Sequence, residues 1–198
     1  MKTAETTKGI RKTHHVQVFL ISAAVAFALG TFAYVYSIPP LIYNGVEKAI
    51  VQQGLGSGSA IPVNTLYAVP ELASPYAKSY LLRTGANVDT LYSGGWLDLK
   101  EEPLVLHVPD MKGRYYSVQF TDPRDGSDFA YVGRRTTGTA AGDYLITGPG
   151  WSGSVPPGMK RISSPDNSVL ILGRVIVENG SDLATAYGLS KQMTLSPP

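Results

Sequence analysis

The sequence predicts a mainly β protein: a sandwich of short strands behind one N-terminal membrane-spanning helix, completed by a C-terminal helix. Three observations carry this. In 198 residues, 43% hydrophobic content is combined with 21 Gly, 14 Pro and 12 Tyr, a mixture that favours short strands and tight turns over a helical bundle. Beyond residue 60, apolar or alternating runs recur, each bounded by Gly, Pro, Asp or Asn. Residues 16–38, VQVFLISAAVAFALGTFAYVYSI, carry no charge at all.

That uncharged stretch is long enough to matter. At a rise of about 1.5 Å per residue the helix is roughly 34 Å long, enough for a hydrocarbon core of about 30 Å with modest tilt. It is apolar on every side, whereas a helix on the surface of a soluble domain shows a polar face at 3.6-residue spacing. Lys8, Arg11 and Lys12 precede it and hold that end in the cytoplasm, while Tyr34 and Tyr36 sit at the depth of an outer interfacial belt. A cleaved signal peptide needs a shorter apolar core ending in a small-x-small site, and Val35-Tyr36-Ser37 is a poor one, so an uncleaved anchor is expected.

The formal charge of +2 divides unevenly. Lys2, Lys8, Arg11 and Lys12 against Glu5 give the first 15 residues +3 and leave −1 for the remainder. The sequence pI of 8.7 therefore reflects the tail, and a near-neutral outer domain has no electrostatic footprint for nucleic acid. Absence of cysteine excludes disulfides, thiolate zinc sites and a cysteine nucleophile.

After the span, Pro39-Pro40 is expected to end or kink the helix, and 41–53 reads as a short amphipathic helix with Leu41, Ile42, Val46, Ala49 and Ile50 on one face. GLGSGSA, 54–60, has the composition of a flexible linker or long loop. The organisation is thus a basic tail over 1–15, a span over 16–38, a helix and linker over 39–60 and a β domain over 61–198. Strands are expected at 90–99, 103–108, 115–121, 129–133, 143–147, 159–163 and 169–177, and seven such strands suggest a sandwich. Within RYYSVQFTD, Tyr116, Val118 and Phe120 share one face and Tyr115, Ser117 and Gln119 the other. Ser181 is placed to cap a helix over 182–193, where Leu183, Ala186, Tyr187 and Met193 recur at helical spacing.

Candidate functional residues cluster in two runs. ANVDTLYSGGWLDL offers Asn87, Asp89, Tyr92 and Trp96, polar and aromatic groups that can build a small-ligand site; the structural alternative is a loop entering a strand with Trp96 in the core. GRYYSVQFTD adds Tyr116 and Arg114, whose guanidinium grips a carboxylate or other anion in two places; the alternative is an Arg114 paired with a structural Asp. DPRDGSD places three carboxylates in seven residues but lacks the spacing of a calcium loop. GRRTTG and AGDYLITGPGWSG have neither phosphate-loop nor dinucleotide spacing and read as turns. His107 is the single histidine of the outer domain, so a multi-histidine metal site is excluded there and Ser-His-Asp chemistry would depend on it alone. No metal and no cofactor are expected.

The ordered succession of NVDTLYSGGWLDL, EPLVLHVPD, GRYYSVQFTD, GRRTTG with AGDYLITGPGW, ILGRVIV and DLATAYGLSKQMTLSP resembles the bacterial domain-of-unknown-function family 1254, over about residues 64–198. The resemblance implies an immunoglobulin-like β-sandwich, commonly encoded with or fused to a jelly-roll domain of family 1214. A separate jelly-roll protein of that family is accordingly the expected partner, and the bacterial inner membrane, with the C-terminal domain in the periplasm or outside, the expected location. Family members often read PNxDTLYS, where this chain has Gly85-Ala86-Asn87-Val88-Asp89, and a histidine that often precedes the motif is missing. The family transfers no catalytic residues, since a fold does not fix chemistry. Two classes stay open, an envelope module that holds a partner, and an enzyme or receptor for an envelope carbohydrate or other small ligand with Asp89 as acid/base and Arg114 as anion holder.

The topology has a direct check. A periplasm-active reporter fused after Pro198 is expected to be active while the extracted protein keeps its full mass. A cytoplasm-active reporter overturns the orientation, and loss of the first ~37 residues identifies a signal peptide instead.

Overall fold

Two β-sheets share one apolar core, and an unbroken N-terminal helix packs its last turns on the outside of the larger sheet. The computed structural model describes residues 2–83 and 85–198. Helix α1 is Lys2–Val51. The strands are β1 Tyr67–Ala68, β2 Thr90–Asp98, β3 Leu104–Val108, β4 Tyr116–Thr121, β5 Asp128–Gly133, β6 Gly142–Thr147, β7 Lys160–Ser163, β8 Ser168–Ile176 and β9 Thr194–Ser196, with α2, Leu183–Gln192, before the last. All seven expected strands form. The two additional ones, β1 and β9, are two and three residues long, too short to show a period.

The larger sheet has the order β1-β2-β8-β4-β5 and the smaller β7-β6-β3-β9. Every neighbouring pair is antiparallel except β6 and β7. Side chains alternate across each strand, so Leu91 and Leu97 of β2, Val118 and Phe120 of β4 and Ile171 and Val175 of β8 meet Leu104, Leu106 and Ile146 of the smaller sheet. Tyr116 belongs to this inward face, as its alternation predicts, and is 1% exposed. Ala186 and Met193 of the α2 region seal the core.

Three local expectations are corrected. The helix does not end at Pro39-Pro40 but continues through both prolines. Proline's fixed φ suits a helix; its cost is the missing N–H. That cost is offset downstream, where Val46 and Ile50 join an apolar cluster on the outer face of the larger sheet with Leu55, Val69, Tyr92, Trp96 and Leu170. The glycine-serine stretch is not a free linker: Gly54–Gly56 is a 3-10 turn, and Leu55, at φ +52°, is buried over Gly94. A Cβ on Gly94 would lie 2.8 Å from Leu55 Cδ1, so the glycine at 94 makes room for this turn. Lastly, Ser181 does not cap the C-terminal helix: Asn179, whose side chain accepts from Ser181 N, caps a 3-10 turn over Gly180–Asp182, and Asp182 stands at the N-cap of α2 itself.

The helix also fixes which end of the β unit lies nearer the apolar stretch. Tyr43 lies against Gly126 in the β4–β5 turn, and Ile50, two turns later, lies near mid-sheet. Hence the turns after β2, β4 and β7 are on the side of residues 16–38. In that stretch the large side chains stand exposed, Phe19 at 70% and Phe27 at 77%, and the helix from His15 is long and apolar enough to cross a membrane.

At the opposite end, Arg114 grips Asp182 with two hydrogen bonds, 2.5 and 2.7 Å, and donates to the Ile176 carbonyl at 2.8 Å. Asp182 also accepts from Glu178 N, so one ion pair ties the end of β8 to the start of α2. The Arg114 hydrogen bonds hold the Asp182 carboxyl below the usual carboxylate range. A depressed carboxylate contributes stability above its unfolded pKa of about 3.9 and loses it as pH falls through the folded value. Arg114→Ala is expected to cost about 2–3 kcal/mol at neutral pH. In thermal unfolding of the detergent-solubilised chain, the gap between wild type and variant should narrow below about pH 4; a constant gap would mean that the pair is not the source.

Candidate functional site

The outward face of the larger sheet is organised in cross-strand rows. Register places Tyr92, Arg174, Ser117 and Gly133 in one row and Gly94, Leu172, Gln119 and Tyr131 in the next. Ser117 and Gly133 are small, so the first row sinks between taller neighbours. Gly133 is obligatory here, because a Cβ would meet the Tyr116 carbonyl oxygen at 2.6 Å. The result is a cleft of about 480 Å³ with Ser117 and Gly133 in its floor, bordered by Tyr115, Gln119, Tyr131, Arg135 and Arg174, with Asn87 at its mouth.

The GRRTTG segment supplies one wall. The Gly133 carbonyl accepts from the backbone of Thr136, Thr137 and Gly138 at 3.0, 2.8 and 3.2 Å, a tight turn that carries Arg135 to 5.7 Å from the Tyr115 ring centroid. On the other side a chain of hydrogen bonds runs along the floor. Arg174 Nη1 donates to Gln119 Oε1 at 2.9 Å, Gln119 Nε2 to Thr121 Oγ1 at 3.1 Å, and Thr121 Oγ1 to Asp128 Oδ1 at 2.6 Å. The Tyr131 hydroxyl donates to the other Asp128 oxygen, which together with burial pushes its pKa up. The Arg174 guanidinium stands 5.5 Å from the Tyr92 ring centroid, and the Tyr92 hydroxyl accepts from Asn87 N at 2.8 Å.

Electrostatically the cleft is bordered by two cations, Arg174 and Arg135. Among the described residues the ion pairs join His107 to Asp143, Arg114 to Asp182 and Arg124 to Asp122 and Asp166, and none engages Arg174 or Arg135. Arg174 uses one nitrogen on Gln119, leaving the rest of its fork toward the cleft. Two guanidiniums flanked by phenol, amide and hydroxyl groups are suited to an anion, because charge-assisted bidentate hydrogen bonds are the strong ones.

Of the six residues singled out from the sequence, Asn87 and Tyr116 border the cleft, and Tyr92 lies beside it, beneath Arg174. Asp89, Trp96 and Arg114 are elsewhere, and the set does not converge. Asp89 is exposed in the turn before β2, where its carbonyl accepts from Val177 N. Trp96 is 3% exposed, its indole donating to Ser168 Oγ at 2.8 Å. Arg114 is consumed by Asp182, and the Tyr116 ring points into the core. The residues that sequence reasoning missed, Arg174, Arg135, Gln119, Tyr115 and Tyr131, left two signals. Tyr115, Ser117 and Gln119 already formed the outward face of their strand, and Arg174 interrupts the apolar run ILGRVIV at a position of the same parity as Leu170 and Leu172.

The remaining polar clusters are spoken for. His107 and Asp143 face each other across β3 and β6, 2.7 Å apart and half-exposed on the other sheet. In the acidic turn, Arg124 bonds Asp122 at 2.7 Å and reaches Asp166 at 3.2 Å, joining two turns, and holds Asp122 below the usual carboxylate range. No group of three His, Asp or Glu that could hold a metal occurs among the described residues.

Comparison with known proteins places this geometry in a family. The chain is similar to the crystal structure of the VPA0106 protein from Vibrio parahaemolyticus, with 26% identity and a TM-score of 0.65 over 83% of this chain and 37% of that one. It also matches a putative uncharacterized protein from Burkholderia cenocepacia at 16% identity and a TM-score of 0.40, over 58% of this chain and 31% of that one. The chain thus spans about a third of the length of the solved structures it matches. No curated protein matches it. Residues 63–197, the whole β unit with the cleft, fit the model described as "Protein of unknown function (DUF1254)", and the chain belongs to that family.

Proposed function

We propose that this protein is a membrane-tethered envelope module whose immunoglobulin-like β unit binds an acidic ligand in the cleft of its larger sheet. The observation that carries the reading is the pair Arg174 and Arg135, two guanidiniums beside a concave polar floor with no carboxylate partner among the described residues. Tethering is supported by the apolar, exposed stretch of α1 and by the basic residues before it, which favour a domain outside the cytoplasm. Of the two classes left open by the sequence, ligand reception is favoured by this cleft, with Arg174 and Arg135 in the place first given to Arg114.

The anion reading predicts a graded loss. The full chain in lipid nanodiscs is titrated with inorganic phosphate and with succinate by calorimetry. Arg174→Gln is expected to weaken binding at least about tenfold, the loss of one charge-assisted bidentate contact, and Arg174→Gln with Arg135→Gln to abolish it. Equal affinity in wild type and double variant, or no binding of either anion to wild type, refutes the reading.

A second reading concerns a partner. The Vibrio chain continues far beyond its matched part, so in that protein the matched module is joined to further polypeptide. A jelly-roll protein of family 1214 is the partner that this reading assigns to the present module. Cross-linking and pull-down of the tagged chain from native membranes should recover such a protein; repeated recovery of none removes the partner.

A further inference from the structure

Beside the polar cleft, on the same outer face, lies an apolar recess of about 260 Å³ between the end of α1 and the sheet. Val46 and Ile50 of the helix form one wall, Leu82 and Ala86 of the connecting segment another, and Leu170 and Leu172 of β8 the floor. Protein interiors are packed with few voids larger than a water molecule, so an open recess of this size with aliphatic walls exposes surface that a hydrocarbon occupant would cover. The recess is not isolated. Arg174 borders both it and the cleft, and the register puts Leu172 and Arg174 in successive outward rows of one strand. Ala86 of the recess and Asn87 of the cleft are likewise adjacent.

We infer that the ligand is a free anionic amphiphile, with its acidic head in the cleft at Arg174 and Arg135 and its hydrocarbon chain in the recess against α1. This rests on the anion reading above and adds the chemical class. An acid without a hydrocarbon chain leaves the recess wet, and a neutral hydrocarbon leaves two guanidiniums unmatched. A lipid resident in the bilayer fits less well than a free molecule. Val46 and Ile50 lie eight and twelve residues beyond Ile38, which puts the recess roughly 12 to 18 Å along the helix from the end of the apolar stretch.

The test is a homologous series of ethyl, butyl and hexyl phosphate with inorganic phosphate as reference. Binding to the full chain in nanodiscs is measured, with partition into empty nanodiscs subtracted. Each methylene buried in the recess is expected to raise affinity roughly three- to fourfold. Ala86→Trp, a loop substitution that fills the recess, should flatten the series while leaving inorganic phosphate binding intact. Arg174→Gln should weaken every member alike. A flat series in wild type with phosphate binding retained overturns the amphiphile and spares the anion reading, whereas loss of phosphate binding in wild type removes both. Displacement of hexyl phosphate by phosphatidic acid placed in the nanodisc overturns the assignment to a free molecule.

Discussion

The pairing of β2 with β8 is the constraint on which the rest of the structure depends. It runs in unbroken register from Thr90 opposite Ile176 to Asp98 opposite Ser168, and each face of this ribbon supports a separate apolar cluster. Inward, Leu91, Leu97, Val169 and Ile171 build the core shared by the two sheets. Outward, Tyr92, Trp96 and Leu170 receive the helix and the segment after it. A ribbon buried on both faces reads as a nearly continuous apolar run, which is why TLYSGGWLDL and SVLILGRVI show so little alternation. The two glycines in β2 belong to the same constraint: Gly94 admits Leu55 on one face, and a Cβ on Gly95 would meet the Thr65 carbonyl at 2.4 Å on the other.

Much of the fold was legible because burial on one side of a strand imprints a period on the sequence. Tyr116, Val118 and Phe120 reveal their face without any structure, and the turn residues around them mark the ends. What escaped reading has equally physical causes. β1 and β9 are set by their neighbours, not by their own composition. The passage of α1 through Pro39-Pro40 depends on packing of Val46 and Ile50 many residues later. GLGSGSA resembles a linker by composition, yet one leucine over one glycine suffices to hold it down.

The site was less legible than the fold, and for a different reason. Its residues come from positions 87 to 174 and meet only because strand register aligns Tyr92, Arg174 and Ser117 in one row. Local clustering of polar residues pointed instead to Arg114 and Trp96, which serve the frame: one closes an ion pair at the end of the sheet, the other donates to Ser168 in the outer cluster. The hydrogen-bond chain from Arg174 through Gln119 and Thr121 to Asp128 has a direction, cation at one end and carboxylate at the other, with each amide and hydroxyl oriented by its neighbour. Such a chain fixes the side chains of the floor, so that a ligand meets a surface already arranged.

The continuity of α1 gives the molecule a mechanical character. From the apolar stretch to Val51 there is one helix, its end is clamped on the sheet, and the turn that follows is packed, so the assembly has no swivel between shaft and head. It works as a strut. A shift of the shaft by one residue in whatever surrounds it is about 1.5 Å of travel for the head. The depth at which residues 16–38 settle therefore sets the height at which Arg174 and Arg135 stand.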